Sequence, residues 1–189
     1  MQDGCPGKKG FTLVEALVVV TIMGILSGIG VASLRDAVAN SRIKDAGINV
    51  TAFMQRAANE ATRLNERLAV KVEGDKKTLK LYKCNSVDDN GICNDFGDVV
   101  DEMTLESSNK FVTGQDGGTD CPELGDESAR NPKAVMTLTP RVGVSPISSG
   151  CFLLRYGGSD RFAASIKSPT KYAMYYKLSY DEGANWFEF

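Results

Sequence analysis

The first long pattern in the chain is apolar. From Phe11 to Leu34 there are 24 residues whose only charge is Glu15. As a helix they reach roughly 36 Å at about 1.5 Å per residue, against a bilayer hydrocarbon core of about 30 Å. The run therefore predicts a membrane-spanning helix. Lys8 and Lys9 stand directly before it, so the amino terminus is expected on the cytoplasmic side and the rest of the chain outside. Beyond Arg35 the chain turns polar but keeps a period: Val50, Phe53, Ala57, Ala61, Leu64 and Leu68 recur at steps of three and four, the spacing of one buried helical face. Arg56, Glu60, Arg63 and Glu66 fall off that stripe, as a solvated face requires. One helix is predicted from about Phe11 to Asn65, its second half packed under a head.

After the helix the period changes to two. "LAVKVEGDKKTLKLYKC" alternates on both sides of Gly74 and Asp75, a hairpin signal. Further strands are expected at Val99–Leu105, Ala134–Thr139, Cys151–Tyr156, Phe162–Ile166, Tyr172–Tyr180 and Trp186–Phe189. The stretch from Asn85 to Pro132, rich in Asp, Asn, Gly, Ser and Glu, is read as loops pinned by cysteines. The predicted class is α+β, a long amino-terminal helix packed on an antiparallel β head. Its segments are a leader at 1–10, a transmembrane segment at 11–34, an amphipathic half-helix at 35–65 and a β-rich head at 66–189.

The order at the amino terminus matters. A secretory signal places its apolar region before the cleavage site and loses it, whereas here basic residues and Gly10 precede the apolar run. A cut after Gly10 leaves the helix as the new terminus. The cysteine count favours that cut. Of Cys5, Cys84, Cys93, Cys121 and Cys151, only Cys5 would be removed, leaving an even set for an oxidising compartment. Four cysteines allow three pairings; nearest-neighbour pairing favours Cys84 with Cys93 and Cys121 with Cys151. The chain has no histidine. That excludes Ser-His-Asp and Cys-His catalysis and disfavours zinc.

The stretch "KKGFTLVEALVVVTIMGIL" resembles the amino-terminal signature of type IV prepilins and type II secretion pseudopilins. Basic residues, Gly10, Phe11, Thr12, Leu13 and Glu15 before an uninterrupted apolar helix carry the resemblance. It implies that a prepilin peptidase cleaves between Gly10 and Phe11 and methylates the new amino terminus of Phe11. It also gives Glu15 a reason. A charge at the bilayer centre costs about 2.5–3.5 kcal/mol and is normally paired; near the end of the span Glu15 can reach the interface. In a filament, stacked helices would bury it, with the Phe11 amino group of a neighbour as its nearest cation, setting axial register. A carboxylate at a helix amino terminus is also favoured by the helix dipole alone. One departure stands out. Many pilins carry a helix-breaking proline about 22 residues into the mature helix; here that neighbourhood is "GIGVASL", with Ala32, and Gly24, Gly28 and Gly30 offer either softness or close helix approach. The helix tail, the hairpin and "YKCNSVDDNGIC" are similar in order to the minor pseudopilin H and fimbrial protein T group.

Charge adds one asymmetry. From Cys84 to Glu127 there are twelve acidic residues and one base, Lys110; from Arg130 to Lys177 there are eight bases and one acid, Asp160. Complementary halves, within one head or between adjacent subunits, account for this. A sharper reading makes Arg155, Arg161, Lys167 and Lys171, beside Tyr156, Phe162 and Tyr172, a polyanion or nucleic-acid site. The cleaved chain nevertheless holds 20 basic against 23 acidic residues. Asp88, Asp89, Asn90, Asp95 and Asp98 supply oxygen ligands of the kind calcium accepts, without EF-hand spacing. "SYDEGANW", Ser179 to Trp186, fits the Asp-box pattern, a hairpin-turn device that as a single copy is structural. No pair of carboxylates singles itself out for glycosidase chemistry, and no cofactor is expected beyond calcium. The reading is a non-enzymatic subunit of a type IV pilus-like filament or type II secretion pseudopilus. Its partners would be copies of itself, the prepilin peptidase, inner-membrane assembly machinery, other minor pilins and lipid. The alternatives are a polyanion-binding minor pilin for DNA uptake and a signal-anchored periplasmic protein that never polymerises.

Overall fold

The structure, a computed structural model, describes residues 11–106, 108–113, 121, 134–141, 143–144, 151–157, 159–167, 173–179 and 185–188. The chain divides into two units, one up to Ala39 and one from Asn40 onward. Among the described residues a single helix, α1, runs Leu13–Leu64 over 52 residues. Ten strands follow among them: β1 Leu68–Val72, β2 Thr78–Val87, β3 Cys93–Thr104, β4 Asn109–Val112, β5 Val135–Thr139, β6 Gly143–Val144, β7 Phe152–Tyr156, β8 Ser159–Lys167, β9 Ala173–Leu178 and β10 Phe187–Glu188. The fold is α+β: one long apolar-then-amphipathic helix, then antiparallel sheets.

In the second unit α1 buries Ile43, Ala46, Val50, Phe53, Met54, Ala57, Ala58 and Ala61. This stripe is wider than the one read from the sequence. Alanines permit it, because they let the helix lie close to the strands without a bulky side chain to displace. On the outer side Glu60 and Arg63 form a fork, with Arg63 Nε and Nη2 donating to the carboxylate at 2.8 and 2.5 Å. The helix stops at Asn65, whose φ of 53° is the left-handed conformation that asparagine tolerates at a helix end. Leu68, expected to continue the helical stripe, is instead the first residue of β1, where it is buried.

The strands form two five-stranded sheets, ordered β3-β2-β1-β5-β6 and β10-β9-β8-β7-β4. Every strand pairing among the described residues is antiparallel. The hairpin expected around Gly74 and Asp75 joins β1 to β2, with Val72 opposite Leu79. One core collects the α1 stripe, Leu68, Val70, Leu79, Leu81, Met136 and Leu138 of the first sheet, and Phe111, Phe152, Leu154, Phe162 and Leu178 of the second. Each such large side chain contributes about 1.5–3 kcal/mol by leaving water. Gly47 makes the approach possible, since a β-carbon there would overlap the Phe162 ring.

The acidic region corrects the expectation most. Apart from the strand expected at Val99–Leu105, which falls in β3, the sequence predicts loops over residues 85–132, yet β2 continues to Val87, β3 begins at Cys93 and β4 occupies Asn109–Val112. Strand β3 lies at a sheet edge with much of its surface wet, so aspartates there cost little and hide the usual strand composition. The short β6 was not anticipated either. The expected strand at Tyr172–Tyr180 is β9, Ala173–Leu178; Tyr172, Tyr180 and Phe189 lie outside the described residues.

Candidate functional site

Thr12 starts the helix. Its Oγ1 accepts the Glu15 N–H at 3.2 Å, and its carbonyl accepts the Ala16 N–H at 3.2 Å. A helix leaves its first four N–H groups without partners, and threonine at the cap with glutamate three residues on is the capping-box spacing. The T-x-x-E spacing of Thr12 and Glu15 carries this signal in the sequence. Glu15 thus occupies the first turn, where a negative charge meets the positive end of the helix dipole.

Leu13–Val31 is 19 residues long with mean hydropathy 2.2, long and apolar enough to cross a membrane, and none of it is buried. Leu17 is 61% exposed, Ile22 51% and Ile29 67%. A soluble core helix of this composition would have its stripe covered by its own chain. Within the run, the Thr21 hydroxyl donates to the Leu17 carbonyl at 2.8 Å, so this polar group is satisfied without water. A β-carbon added at Gly24, Gly28 or Gly30 meets nothing, so the described packing does not require these glycines.

Residues 5–31 match the family model described as the prokaryotic N-terminal methylation motif. The chain carries a prepilin-type methylation signal. Phe11 and Glu15 lie inside the match, as does Gly10, which is outside the described residues. The match covers the amino-terminal segment, which includes the first part of α1. No curated protein matches the chain. Among solved structures, the minor pseudopilin EpsH from the Type 2 Secretion System of Vibrio cholerae is similar at 15% identity and a TM-score of 0.43, over 75% of this chain and 99% of that one.

Away from the helix, Cys84 is bonded to Cys93 and Cys121 to Cys151, with Cα–Cα separations of 5.8 and 6.1 Å. The first bridge ties the ends of β2 and β3; the second joins a small cluster of Val112, Leu153 and Ala163 on which Trp186 packs. Trp186 is the tryptophan of the Asp-box pattern, whose residues 180–184 lie outside the described set.

The calcium candidates lie at the β2–β3 turn and along β3. Asp88 Oδ1 accepts the N–H groups of Asn90 and Ile92 at 3.0 and 2.8 Å, closing the turn between β2 and β3. Asp95 and Asp98 are spread along β3. Among the described residues, no three His, Cys, Asp or Glu side chains come together to hold a metal.

Of the polyanion candidates, Arg155 sits on β7 between Lys110 of β4 and Asp160 of β8. Arg161 falls in the register shift of β8, and Lys167 ends that strand opposite Ala173. Lys171 is outside the described residues. The acids of β3 find bases elsewhere: Asp101 lies 3.5 Å from Arg56 of α1, and Glu102 lies 3.6 Å from Lys80 of β2. Complementarity therefore exists within the head, although these bases precede the basic half picked out in the sequence. Beside them Tyr82 donates to Glu73 Oε1 at 2.7 Å. That bond, with lesser help from burial, pushes the phenol up to about 12.

Proposed function

We propose that the chain is a structural subunit of a type IV pilus-like filament or type II secretion pseudopilus, cut between Gly10 and Phe11, methylated at Phe11 and polymerised through α1. The observation that carries this is the coincidence of a methylation signal with an apolar helix that is unburied along Leu13–Val31 among the described residues. Such a surface is stable only in lipid or against other apolar helices. Lipid is its partner after insertion, with the amino terminus cytoplasmic and the head outside. The prepilin peptidase and inner-membrane assembly machinery act on it next; copies of itself, or other minor pilins, then replace the lipid. The head keeps its own core and so can ride on the filament unchanged.

In this reading Glu15 has two successive roles. In the membrane it is a capping-turn carboxylate close to the interface. In the filament it is paired with the Phe11 amino group of a neighbouring subunit, and an unpaired copy would be costly.

A photo-crosslinking residue at Val18 in living cells tests this. The expected result is a ladder of self-crosslinked species in the wild-type chain and loss of the ladder, with normal membrane insertion, in Glu15→Lys. A ladder unchanged by Glu15→Lys would remove the register role. No ladder in either chain would favour a signal-anchored protein that does not polymerise.

A further inference from the structure

The outer face of the first sheet is covered, and not by the strands beside it. Leu68 and Val70 on β1, with Met136 and Leu138 on β5, belong to the core shared with α1. Ala69 and Thr137 alternate with them and stand opposite each other, so both face away from that core. Both are nonetheless fully buried. Among the described residues, the cover is the far end of the β2–β3 ribbon. Within the sheet β1 separates β2 from β5, yet the N–H of Cys93, where β3 begins, donates to the Thr137 hydroxyl at 2.9 Å. The ribbon therefore folds back across β1. Register shifts between Leu81 and Val87 supply the bend. Phe96 closes the seat. Its ring meets that of Tyr82, the partner of Ala69, edge to face with centroids 5.4 Å apart, and Lys71 Nζ lies 4.7 Å from its centre.

A disulfide fastens this strap at its bend. Cys84 is anchored beside β1, its N–H donating to the Arg67 carbonyl at 2.9 Å, and it is bonded to Cys93, which touches β5. We infer that the Cys84–Cys93 bond is a redox-sensitive latch: a dithiol opens it, the strap lifts, and the outer face of the sheet is uncovered while the head stays folded. Exchange begins where a thiolate can reach a sulfur. Cys84 is partly exposed, whereas Cys93, Cys121 and Cys151 are buried. A thiolate of the dithiol attacks Cys84 Sγ and expels Cys93 as a thiolate, which takes up a proton. The second thiol of the reductant then displaces Cys84, which is protonated in turn, and closes the reductant's own disulfide. Two electrons and two protons have passed to the chain. What remains of the seat is a hydrogen bond, a ring pair and a cation over a ring, each a modest contribution. Ala69, Cys93, Phe96 and Thr137 lie outside the core shared with α1, so that core does not depend on the strap. The inference holds whether or not α1 polymerises.

The test uses the full chain in detergent micelles, with dithiothreitol as the dithiol and timed quenching by iodoacetamide. Peptide mass spectrometry should find Cys84 and Cys93 alkylated well before Cys121 and Cys151. At that stage a soluble nitroxide should broaden the methyl NMR signals of Ala69 and Thr137, which it leaves sharp in the oxidised chain. The methyl signals of Val70 and Leu138, on the core side of the same strands, should stay sharp. Fluorescence of Trp186, the chain's one tryptophan, should not change, because it packs on the cluster that holds Cys121 and Cys151. Cys84→Ser with Cys93→Ser should show the broadening of Ala69 and Thr137 without reductant. Simultaneous reduction of both bridges, sharp Ala69 and Thr137 signals once Cys84–Cys93 is reduced, or broadening that spreads to Val70 and Leu138 would each overturn the latch. The reduction arm uses the wild-type chain, so its outcome does not depend on how the double variant folds.

Discussion

Gly47 shows how one atom can govern the head. It is buried on α1 against the Phe162 ring, and a methyl group there would overlap that ring. Alanine normally improves a helix by about 1 kcal/mol over glycine, but overpacking a core costs about 1–3 kcal/mol. Gly47→Ala should therefore lower the melting temperature, whereas the same change at Gly24, where a β-carbon meets nothing, should leave the head's melting unchanged. Differential scanning calorimetry in detergent distinguishes the two. Asp75 acts at the same scale. Its carboxylate accepts the Lys77 N–H at 2.9 Å and both the N–H and hydroxyl of Thr78. The Lys77 N–H first, then Thr78, hold its pKa below the usual carboxylate range. A pKa lowered on folding contributes stability that is present above the unfolded value of about 3.9 and is lost as pH falls through the folded one. Asp75→Asn should thus flatten the acid limb of a stability-against-pH curve below about pH 4; an unchanged limb would mean the turn bonds do not respond to ionisation.

Among the elements, the amphipathic half of α1 is the piece on which both sheets converge. Phe53→Ala should cost about 3–5 kcal/mol, measured by denaturant unfolding, because Phe53 is 1% exposed in the shared core. The Cys121–Cys151 bridge closes a separation of 30 residues, so Cys121→Ser with Cys151→Ser should lose about 2–4 kcal/mol by the same assay. Much of this level was legible in the sequence. The helix, the hairpin at Gly74 and Asp75 and most later strands follow from periods of three to four and of two, because there one face is buried and the other wet. Where that contrast fails, the pattern fails. Aspartates on the β3 edge disguise a strand, and alanines on α1 widen a buried stripe without adding a hydrophobic signal. Contacts across long separations leave no local trace, so neither the seat of Phe162 on Gly47 nor the reach of Cys93 to Thr137 could be read in advance. The Thr12 cap was legible through its spacing to Glu15.

For the whole molecule, two facts of different kinds meet. Among the described residues, the first unit bears an apolar helix that is unburied along Leu13–Val31, and the second has a core and disulfides of its own. In the proposed reading, the methylation motif matched over residues 5–31 goes with a first unit that serves as an assembly element rather than a discarded leader. That assignment requires the chain to be cut before Phe11 while the helix is kept. Intact mass of the chain extracted from its native membrane, without reductant, tests this most directly. The account predicts a species that begins at N-methylated Phe11 and is four hydrogens lighter than its reduced form, from two disulfides. A chain that begins at Met1, or one that has lost the apolar helix, would contradict it.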